Sequence, residues 1–270
     1  MADIAVGQLA AAARALMLGG RWVQATALLS AAADADGAER AVLAVAEAEV
    51  AVDHDFWCRT GRGSSALDRA TAAVADAPAD AVLAFDLEFL RLRHDYAEEL
   101  FGPGGRTPRF GPAGRDTAVI EDLAARAGRL RDTAPDRGRG AAATFYAGLI
   151  TDNLRGDGAA ARSAFAAALE TADDDLTVSE ALRHLGYHAA EAGQADQARQ
   201  MWERSAELRQ RAGAVPYALS QQLMLAGLAR DTGDLAGARA VAGEVGRWAR
   251  ALDIGILAAR AAELLAEPMP

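Results

Sequence analysis

Ala41-Val42-Leu43-Ala44-Val45, followed by His54-Asp55-Phe56, recurs 40 residues further along the chain as Ala81-Val82-Leu83-Ala84-Phe85, followed by His94-Asp95-Tyr96. A chain that repeats its own pattern at such an interval is built from similar supersecondary units stacked in a row. We therefore expect a repeat protein in which each unit buries its apolar face against its neighbours.

The composition indicates that these units are helical. Of the 270 residues, 51% are hydrophobic and only 6% are aromatic. Alanine, the strongest helix former, is the most frequent residue, and its small side chain lets two helix backbones approach without leaving voids. Long β-branched or alternating runs are missing from the chain. We therefore predict an all-α fold with almost no strand.

The charge balance argues against nucleic acid as a partner. The chain holds 38 acidic and 28 basic residues, every basic residue is arginine, and the net charge is -10. Proteins that bind nucleic acid normally carry a basic stripe that displaces counterions from the phosphates. We expect no nucleic-acid partner.

Cysteine content and hydropathy bear on the compartment. Cys58 is the only cysteine, which excludes an intrachain disulfide and a multi-cysteine zinc site. The amino terminus lacks the basic start and apolar core of a signal peptide, and no apolar run of about 18 residues is free of charge. We expect a cytoplasmic protein with no membrane partner.

Glycine-containing corners divide the carboxyl-terminal half of the chain into helix pairs. They are Gly156-Asp157-Gly158, Gly193-Gln194-Ala195-Asp196 and Gly233-Asp234-Leu235, at intervals of 37 and 40 residues. Glycine there supplies the left-handed conformation that ends one helix, and the short polar residue after it can start the next.

Four sets of residues recur in register with these corners. The clearest set is Leu182, Leu185, Gly186, Ala189, Gly193, Ala198, Trp202 and Ser205. The second is Phe145, Gly148, Leu149, Gly156, Ala161, Phe165 and Ala168, and the third is Gln222, Leu225, Ala226, Ala229, Gly233, Ala238 and Ala242. An amino-terminal set is Leu9, Ala12, Ala13, Leu16, Gly20, Ala25, Leu29 and Ala32.

Together these sets resemble the tetratricopeptide repeat (TPR) family, in which small residues recur where the two helices of a repeat cross. Bulky residues such as Trp202 and Phe165 then fill the gap to the neighbouring pair. The resemblance implies a right-handed superhelical array of about six helix-turn-helix repeats with a C-terminal capping helix. It also implies a single TPR-like α-solenoid domain over residues 1–270, which we expect to flex along its length because each repeat contacts only its neighbours.

The corners and apolar patterns predict thirteen helices. They run at 3–18 and 21–35, 39–57 and 64–77, 79–100 and 116–133, 138–155 and 158–172, 175–192 and 195–212, 215–231 and 234–250, and finally 253–267. Two connections are longer than the family pattern, at residues 58–64 and 101–115. A loop as long as the second is either functional or disordered, and Phe101 and Phe110 favour one that packs onto something.

The resemblance also implies which residues face the concave groove, because the first helix of each repeat lines it in this family. The residues at the lining positions are Val50, Asp53, His54, Asp86, Leu90, Arg93, His94, Tyr146, Ile150, Asn153, Arg183, Tyr187, Glu191, Arg230 and Asp231. This lining is mixed in charge and moderately aromatic, which suits a peptide segment or a small polar ligand.

The repeated His-Asp element permits two interpretations. His54 and His94 stand at equivalent positions of adjacent first helices, which pack about 8–10 Å apart. With Asp53, Asp55 or Asp95 beside them, they are a candidate metal site or acid–base pair. Alternatively, His-Asp ends a helix, with the imidazole favoured at the carboxyl end and the aspartate turning the chain. We favour the second interpretation because repeats copy structural elements as readily as functional ones.

A second histidine pair lies on one predicted helix. His184 and His188 are four residues apart, a spacing that can bind metal. Without a motif such as His-Glu-x-x-His we interpret them as packing or groove residues. We predict no metal and no cofactor.

We predict a scaffold or regulatory adaptor, without chemistry of its own, that binds a protein or peptide segment in the concave groove. Arginines 93, 183 and 230 would pair with ligand carboxylates, Tyr146 and Tyr187 would contact apolar side chains, and Asn153 would bind ligand backbone.

Two alternatives to the adaptor remain open. One is a small-molecule enzyme or sensor, metal-dependent in one version, that uses His54, His94, Asp53 and Glu88 beneath the loop 101–115. The other is self-assembly into a homodimer through the alanine-rich final helix.

Overall fold

The computed structural model describes residues 5–32, 37–102, 104–105 and 107–266, and in these ranges every regular element is helical. The α-helices are α1 (Val6–Leu18), α2 (Trp22–Ser30), α3 (Gly37–Cys58), α4 (Gly63–Ala75), α5 (Ala81–Phe101), α6 (Thr117–Asp132), α7 (Arg137–Leu149), α8 (Gly158–Thr171), α9 (Asp175–Glu191), α10 (Ala195–Arg211), α11 (Val215–Asp231), α12 (Leu235–Ala251) and α13 (Gly255–Ala266). None of these helices is both long enough and apolar enough to cross a bilayer.

Consecutive helices form six pairs followed by α13, which confirms the predicted array of helix-turn-helix repeats with a final helix. The observed ends agree with the predicted ones to within a few residues where both can be compared. The predicted starts and ends at residues 3, 35 and 267 lie outside the described residues.

The predicted corners have the expected conformation. Gly156, Gly193 and Gly233 have φ angles of 74°, 75° and 97°, in the left-handed region that favours glycine. Asp157 and Asp234 follow two of these glycines, and each side chain accepts a hydrogen bond from a backbone amide of the next helix. The aspartates thereby satisfy donors that would have no partner inside the helix.

Small residues lie where the two helices of a repeat cross. A Cβ atom on Gly148 would lie 2.7 Å from the Phe165 ring, and one on Gly186 would lie 2.5 Å from the Trp202 indole. Both distances are too short for non-bonded heavy atoms, so only glycine permits this approach. The predicted position of small residues at the crossing of the two helices is therefore confirmed in both pairs.

The helix predicted at 138–155 differs in its last turns. The α-helical hydrogen bonds end at Leu149, and residues Ile150–Arg155 form a π-helix before the corner at Gly156. Such π-helical turns frequently occur at functional sites. This one carries Asp152 and Asn153, and both line the interior of the molecule.

The two ends of the array pack against each other. Trp22 and Trp57 from the first repeats share a buried apolar cluster with Leu223 of α11 and Ile254, which precedes α13. The Trp57 and Tyr217 rings meet edge to face with centroids 5.0 Å apart. The expectation that each repeat contacts only its neighbours is therefore wrong, because the first and last repeats meet and the array curves around a cavity that stays open to solvent.

Candidate functional site

The array surrounds a cavity of 2250 Å³. Its wall is formed mainly by the first helices of the second to sixth repeats, α3, α5, α7, α9 and α11, together with α13. In the first repeat α2 contributes Trp22, Val23 and Gln24, whereas α1 contributes Arg14 alone. Among the other second helices, α8 and α10 add residues such as Arg162 and Arg209. The cavity thus collects side chains from every repeat of the molecule.

Aromatic rings from α5 and α7 form one side of the cavity. The Tyr146 ring meets Phe89, Tyr96 and Phe145 edge to face, at centroid distances of 5.2, 5.7 and 5.8 Å. The Tyr96 hydroxyl accepts a hydrogen bond of 2.6 Å from Asn153 Nδ2. These contacts fix the rings in place, so this side presents a rigid apolar surface with polar edges.

The structure places the predicted groove residues in three groups. Those that line the cavity are His54, Asp86, Leu90, Arg93, Tyr146, Asn153, Arg183, Tyr187 and Glu191. Those buried behind its wall are Val50, Asp53 and Ile150. Those that do not line it are His94, Arg230 and Asp231. Arg230 and Asp231 lie in the last turn of α11, where they contact each other, with Arg230 Nη2 2.8 Å from Asp231 Oδ1.

Asp53 holds the two ends of the array together from behind the cavity wall. It accepts hydrogen bonds from Trp22 Nε1 at 2.8 Å and from the Tyr217 hydroxyl at 2.5 Å. Arg93 Nη2 lies 3.9 Å from Asp53 Oδ1, the oxygen that also accepts the Tyr217 hydrogen bond. Burial raises the pKa of Asp53, while Arg93 and the two hydrogen bonds oppose that rise. Asp53 and Arg93, both predicted to meet a ligand, are thus already paired with each other.

His54 and His94 do not form a common site. His54 faces the cavity, and its imidazole stacks on the Trp22 indole with centroids 4.8 Å apart. His94 lies in a separate depression, where its Nδ1 would be 2.8 Å from a Cβ atom on Gly63. Equivalent sequence positions therefore face different ways, because α3 and α5 are rotated differently about their own axes relative to the cavity.

The aspartates of the two His-Asp elements also differ in their contacts. Asp55 accepts hydrogen bonds from the backbone amides of Arg62 and Gly63 at 3.1 and 2.7 Å, so it holds the turn that leads into α4. This agrees with the helix-ending interpretation for the first element. In the second element α5 continues past Asp95, which instead accepts a bond of 2.6 Å from Arg126.

Asp152 lies between the second histidine pair. Its Oδ2 is 3.2 Å from His188 Nε2 and 3.9 Å from His184 Nδ1. Burial lowers the pKa of His184 although Asp152 opposes that change, and the two histidines lower the pKa of Asp152 against the effect of its own burial. Among the residues that the structure describes, no group of three or more His, Cys, Asp or Glu side chains is arranged to hold a metal ion.

Arg183 lies in the cavity wall beside a second, deeply buried arginine. Arg183 Nη1 makes a long hydrogen bond of 3.4 Å to Gln221 Oε1. Arg209 donates to the Tyr217 carbonyl at 2.8 Å, and its Nη2 lies 2.9 Å from Glu180 Oε1. Burial, followed by the nearby charge of Arg209, lowers the pKa of Arg183 to about 9. At neutral pH the Arg183 guanidinium is therefore still protonated.

The loop 101–115 packs along one edge of the cavity. In its described part, Phe101 is buried in the core, while Phe110 is 68% exposed and lines the cavity together with Gly111. The Gly111 amide donates a hydrogen bond of 2.8 Å to the Asn153 carbonyl. The loop is therefore attached to the π-helix through the Gly111 backbone. Of the two phenylalanines expected to pack, Phe101 does so and Phe110 does not.

Sequence reasoning missed several charged residues of the cavity wall, among them Arg209, Glu180 and Asp152. Arg209 had a signal, because Ala198, Trp202, Ser205 and Arg209 follow the spacing of the buried stripe of α10. An arginine at an apolar position of that stripe indicates a buried cation. Glu180 and Asp152 had no comparable signal, since they are acidic residues at positions that also suit solvent.

The fold and the cavity can be compared with known proteins. No family model matches the chain, and no curated protein matches it. A solved structure of similar fold is the crystal structure of a Rap protein complexed with competence and sporulation factor, with a TM-score of 0.51. The likeness covers 95% of this chain and 80% of that chain at 12% identity. The fold is TPR-like. At this identity the similarity describes the architecture and not the ligand.

Proposed function

We propose that the protein is an interaction scaffold or regulatory adaptor that binds a peptide segment inside its cavity, and that residues 1–270 act as one domain. The observation that carries this proposal is the size of the cavity, 2250 Å³. Pockets for small molecules usually measure about 300–1,000 Å³, so this one has room for a chain of several residues. A Rap protein of similar fold was crystallised in complex with competence and sporulation factor, which supports the proposal that this fold binds a ligand of that kind.

The chemistry of the wall suits a peptide. Tyr187 is 45% exposed and faces the cavity, so its ring is available to apolar ligand side chains. Asn153 donates from Nδ2 to Tyr96, which leaves Oδ1 to accept a hydrogen bond from a ligand amide. Arg183 retains its predicted role with ligand carboxylates, whereas Arg93 is paired with Asp53 and Arg230 lies outside the cavity.

A peptide-display experiment tests the proposal directly. The full chain is immobilised and used to select from a library of random linear peptides, and each enriched peptide is measured against variants. Tyr187→Ala and Phe110→Ala remove exposed aromatic rings that line the cavity. Trp248→Ala is the matched control, because Trp248 is 49% exposed on α12 and does not line the cavity.

We expect a common sequence pattern among the selected peptides and an affinity loss of tenfold or more in at least one cavity variant, or about 1.4 kcal/mol. The control should bind as the wild type does. Selection without a common pattern, or equal losses in the control and the cavity variants, would contradict binding inside the cavity.

A further inference from the structure

The charges around Arg183 do not balance. Arg183 and Arg209 bring two guanidinium groups to the cavity wall, and Glu180 Oε1 lies 2.9 Å from Nη2 of Arg209 alone. Arg260 of α13 also lines the cavity, and its positive charge further lowers the pKa of Arg183. We call Arg183, Arg209, Arg260 and Glu180 the arginine cluster. It carries three positive charges and one negative charge.

The other buried or half-buried arginines of the cavity wall each lie beside a carboxylate. Arg139 donates to both oxygens of Asp86 at 2.6 and 2.7 Å, and Arg59 lies 2.7 Å from Glu98. Within the described part of the chain, Arg183 has no carboxylate within ion-pair distance, and its hydrogen-bond partner is the neutral amide of Gln221. The imbalance is thus specific to this part of the wall.

The uncompensated charge of this region belongs to Arg183. Arg209 Nη2 lies 2.9 Å from Glu180 Oε1, so its charge has a counterion. The partner of Arg183 is Gln221, a neutral side chain that is completely buried and whose Nε2 makes no hydrogen bond. A buried charge without a counterion costs free energy. Arg183 is therefore complementary to an oxygen-rich anion that the described part of the chain does not supply.

The geometry also holds the cluster in a fixed position. Trp202 Nε1 donates a hydrogen bond of 2.8 Å to the Arg183 carbonyl oxygen, which fixes that part of α9 against α10. Ser205 Oγ donates to Ser179 O at 2.7 Å and to Gln221 Oε1 at 3.2 Å. A donor group fixed before binding loses little entropy when an anion arrives.

We propose that the arginine cluster is a binding site for a carboxylate group, with Arg183 as its principal donor. Arginine presents a planar fork that matches the two oxygens of a carboxylate. The identity of the whole ligand rests on the proposed peptide function. The carboxylate would then belong either to the carboxyl terminus of the bound peptide or to one of its acidic side chains. The site itself can be tested without any selected peptide.

Thermal unfolding of the full chain in chloride buffer provides that test. The probes are N-acetyl-trialanine as the free acid and as the amide, N-acetyl-Ala-Glu-Ala-amide and its Gln counterpart, and inorganic phosphate. The variants are Arg183→Gln and Arg260→Gln, of which the second changes an exposed residue and should fold normally. Arg204→Gln is the control, since Arg204 lies on α10 at 54% side-chain exposure, pairs with Glu207 and does not line the cavity.

We expect at least one carboxylate probe to raise the melting temperature of the wild type by a few degrees more than its neutral counterpart does. Arg183→Gln should abolish this difference, Arg260→Gln should reduce it, and Arg204→Gln should retain it. A preference for the trialanine acid assigns the site to a chain terminus, and a preference for the Glu peptide assigns it to a side chain.

Equal shifts with acid and neutral probes would overturn the inference, as would a carboxylate preference that survives in both cavity variants. Stabilisation by phosphate alone would overturn the assignment to a carboxylate. These results are independent of the display experiment. A carboxylate response without selected peptides would contradict the peptide function and keep the site, and the reverse pattern would contradict the site alone.

Discussion

Arg93 and Arg183 both lie on first helices and face the same cavity, but their surroundings differ. Arg93 lies beside Asp53, a carboxylate that also receives hydrogen bonds from Trp22 and Tyr217. Arg183 lies beside Arg209 and the neutral side chain of Gln221. The comparison teaches that a cation in a cavity wall indicates a ligand site only when the protein does not supply its counterion.

Removing the counterion of Arg93 should have the largest effect on stability. Asp53→Ala leaves Arg93 without its carboxylate and Trp22 and Tyr217 without their acceptor. Breaking a buried ion pair in this way typically costs about 3–5 kcal/mol, so we expect the free energy of unfolding to fall by about that amount. Urea titration measures it. The control is Asp132→Ala, which removes an exposed ion pair with Arg131 and should change the free energy of unfolding little. An equally small change for Asp53→Ala would contradict the proposed difference between Arg93 and Arg183.

Replacing the unbalanced arginine should have the opposite sign. Arg183→Met removes a cation without a counterion and keeps an unbranched side chain in its place. We expect the unliganded protein to become more stable by about 1–2 kcal/mol, since apolar replacement of poorly balanced buried charge is often stabilising. Arg93→Met should be destabilising in the same urea titration. If both substitutions destabilise equally, the two arginines are equivalent and the comparison fails.

Supplying a counterion within the chain should make the Arg183 region resemble the Arg93 region. In Gln221→Glu a carboxylate oxygen occupies the place of an amide group 3.4 Å from Arg183. We expect a gain of about 1 kcal/mol in unliganded stability from the new charged hydrogen bond, together with loss of the response to carboxylate probes. Thermal unfolding with and without the N-acetyl-trialanine acid checks both. Retention of the probe response would show that the anion binds elsewhere.

The smallest effect is expected at His184, which with His188 lies beside the carboxylate of Asp152. Burial lowers the folded-state pKa of His184 below its ordinary value of 6.5, so below that pH the unfolded state binds more protons. His184 therefore contributes a loss of stability as the pH falls through about 6.5. We expect His184→Asn to make the slope of unfolding free energy against pH shallower between about pH 7.5 and pH 5. An unchanged slope in urea titrations across that range would exclude this role.

The fold could be predicted from sequence because its determinants are local. The corner at Gly193 requires a residue with a left-handed backbone conformation, and position 186 must be small because it lies against Trp202. The residues within each repeat therefore determine the geometry of that repeat. The π-helix was missed because an apolar helical pattern does not distinguish a wider turn from an ordinary one. Closure of the ends was missed because residues 164 positions apart, such as Asp53 and Tyr217, leave no periodic signal.

The candidate site could be predicted only in part. The residues chosen from the lining positions of the family include Arg183, Tyr146 and Tyr187. These three side chains line the cavity because their first helices face the interior. The same positions failed for His94, since alignment of repeats fixes sequence spacing but not the rotation of each helix. Which arginine has a counterion depends on contacts between helices, and those contacts are visible only in three dimensions.

The hydrogen bond between Tyr217 and Asp53 has a consequence for the order of folding. Early repeats can stack as soon as they are synthesised. Asp53 meets its first hydrogen-bond donor, Trp22, at that stage, but its second donor, Tyr217, is synthesised 164 residues later. Contacts between distant positions form slowly because a long loop has to close first. The contact that joins the two ends of the array therefore forms only after Tyr217 has been synthesised, and until then Arg93 lies beside an Asp53 that lacks one of its hydrogen-bond donors.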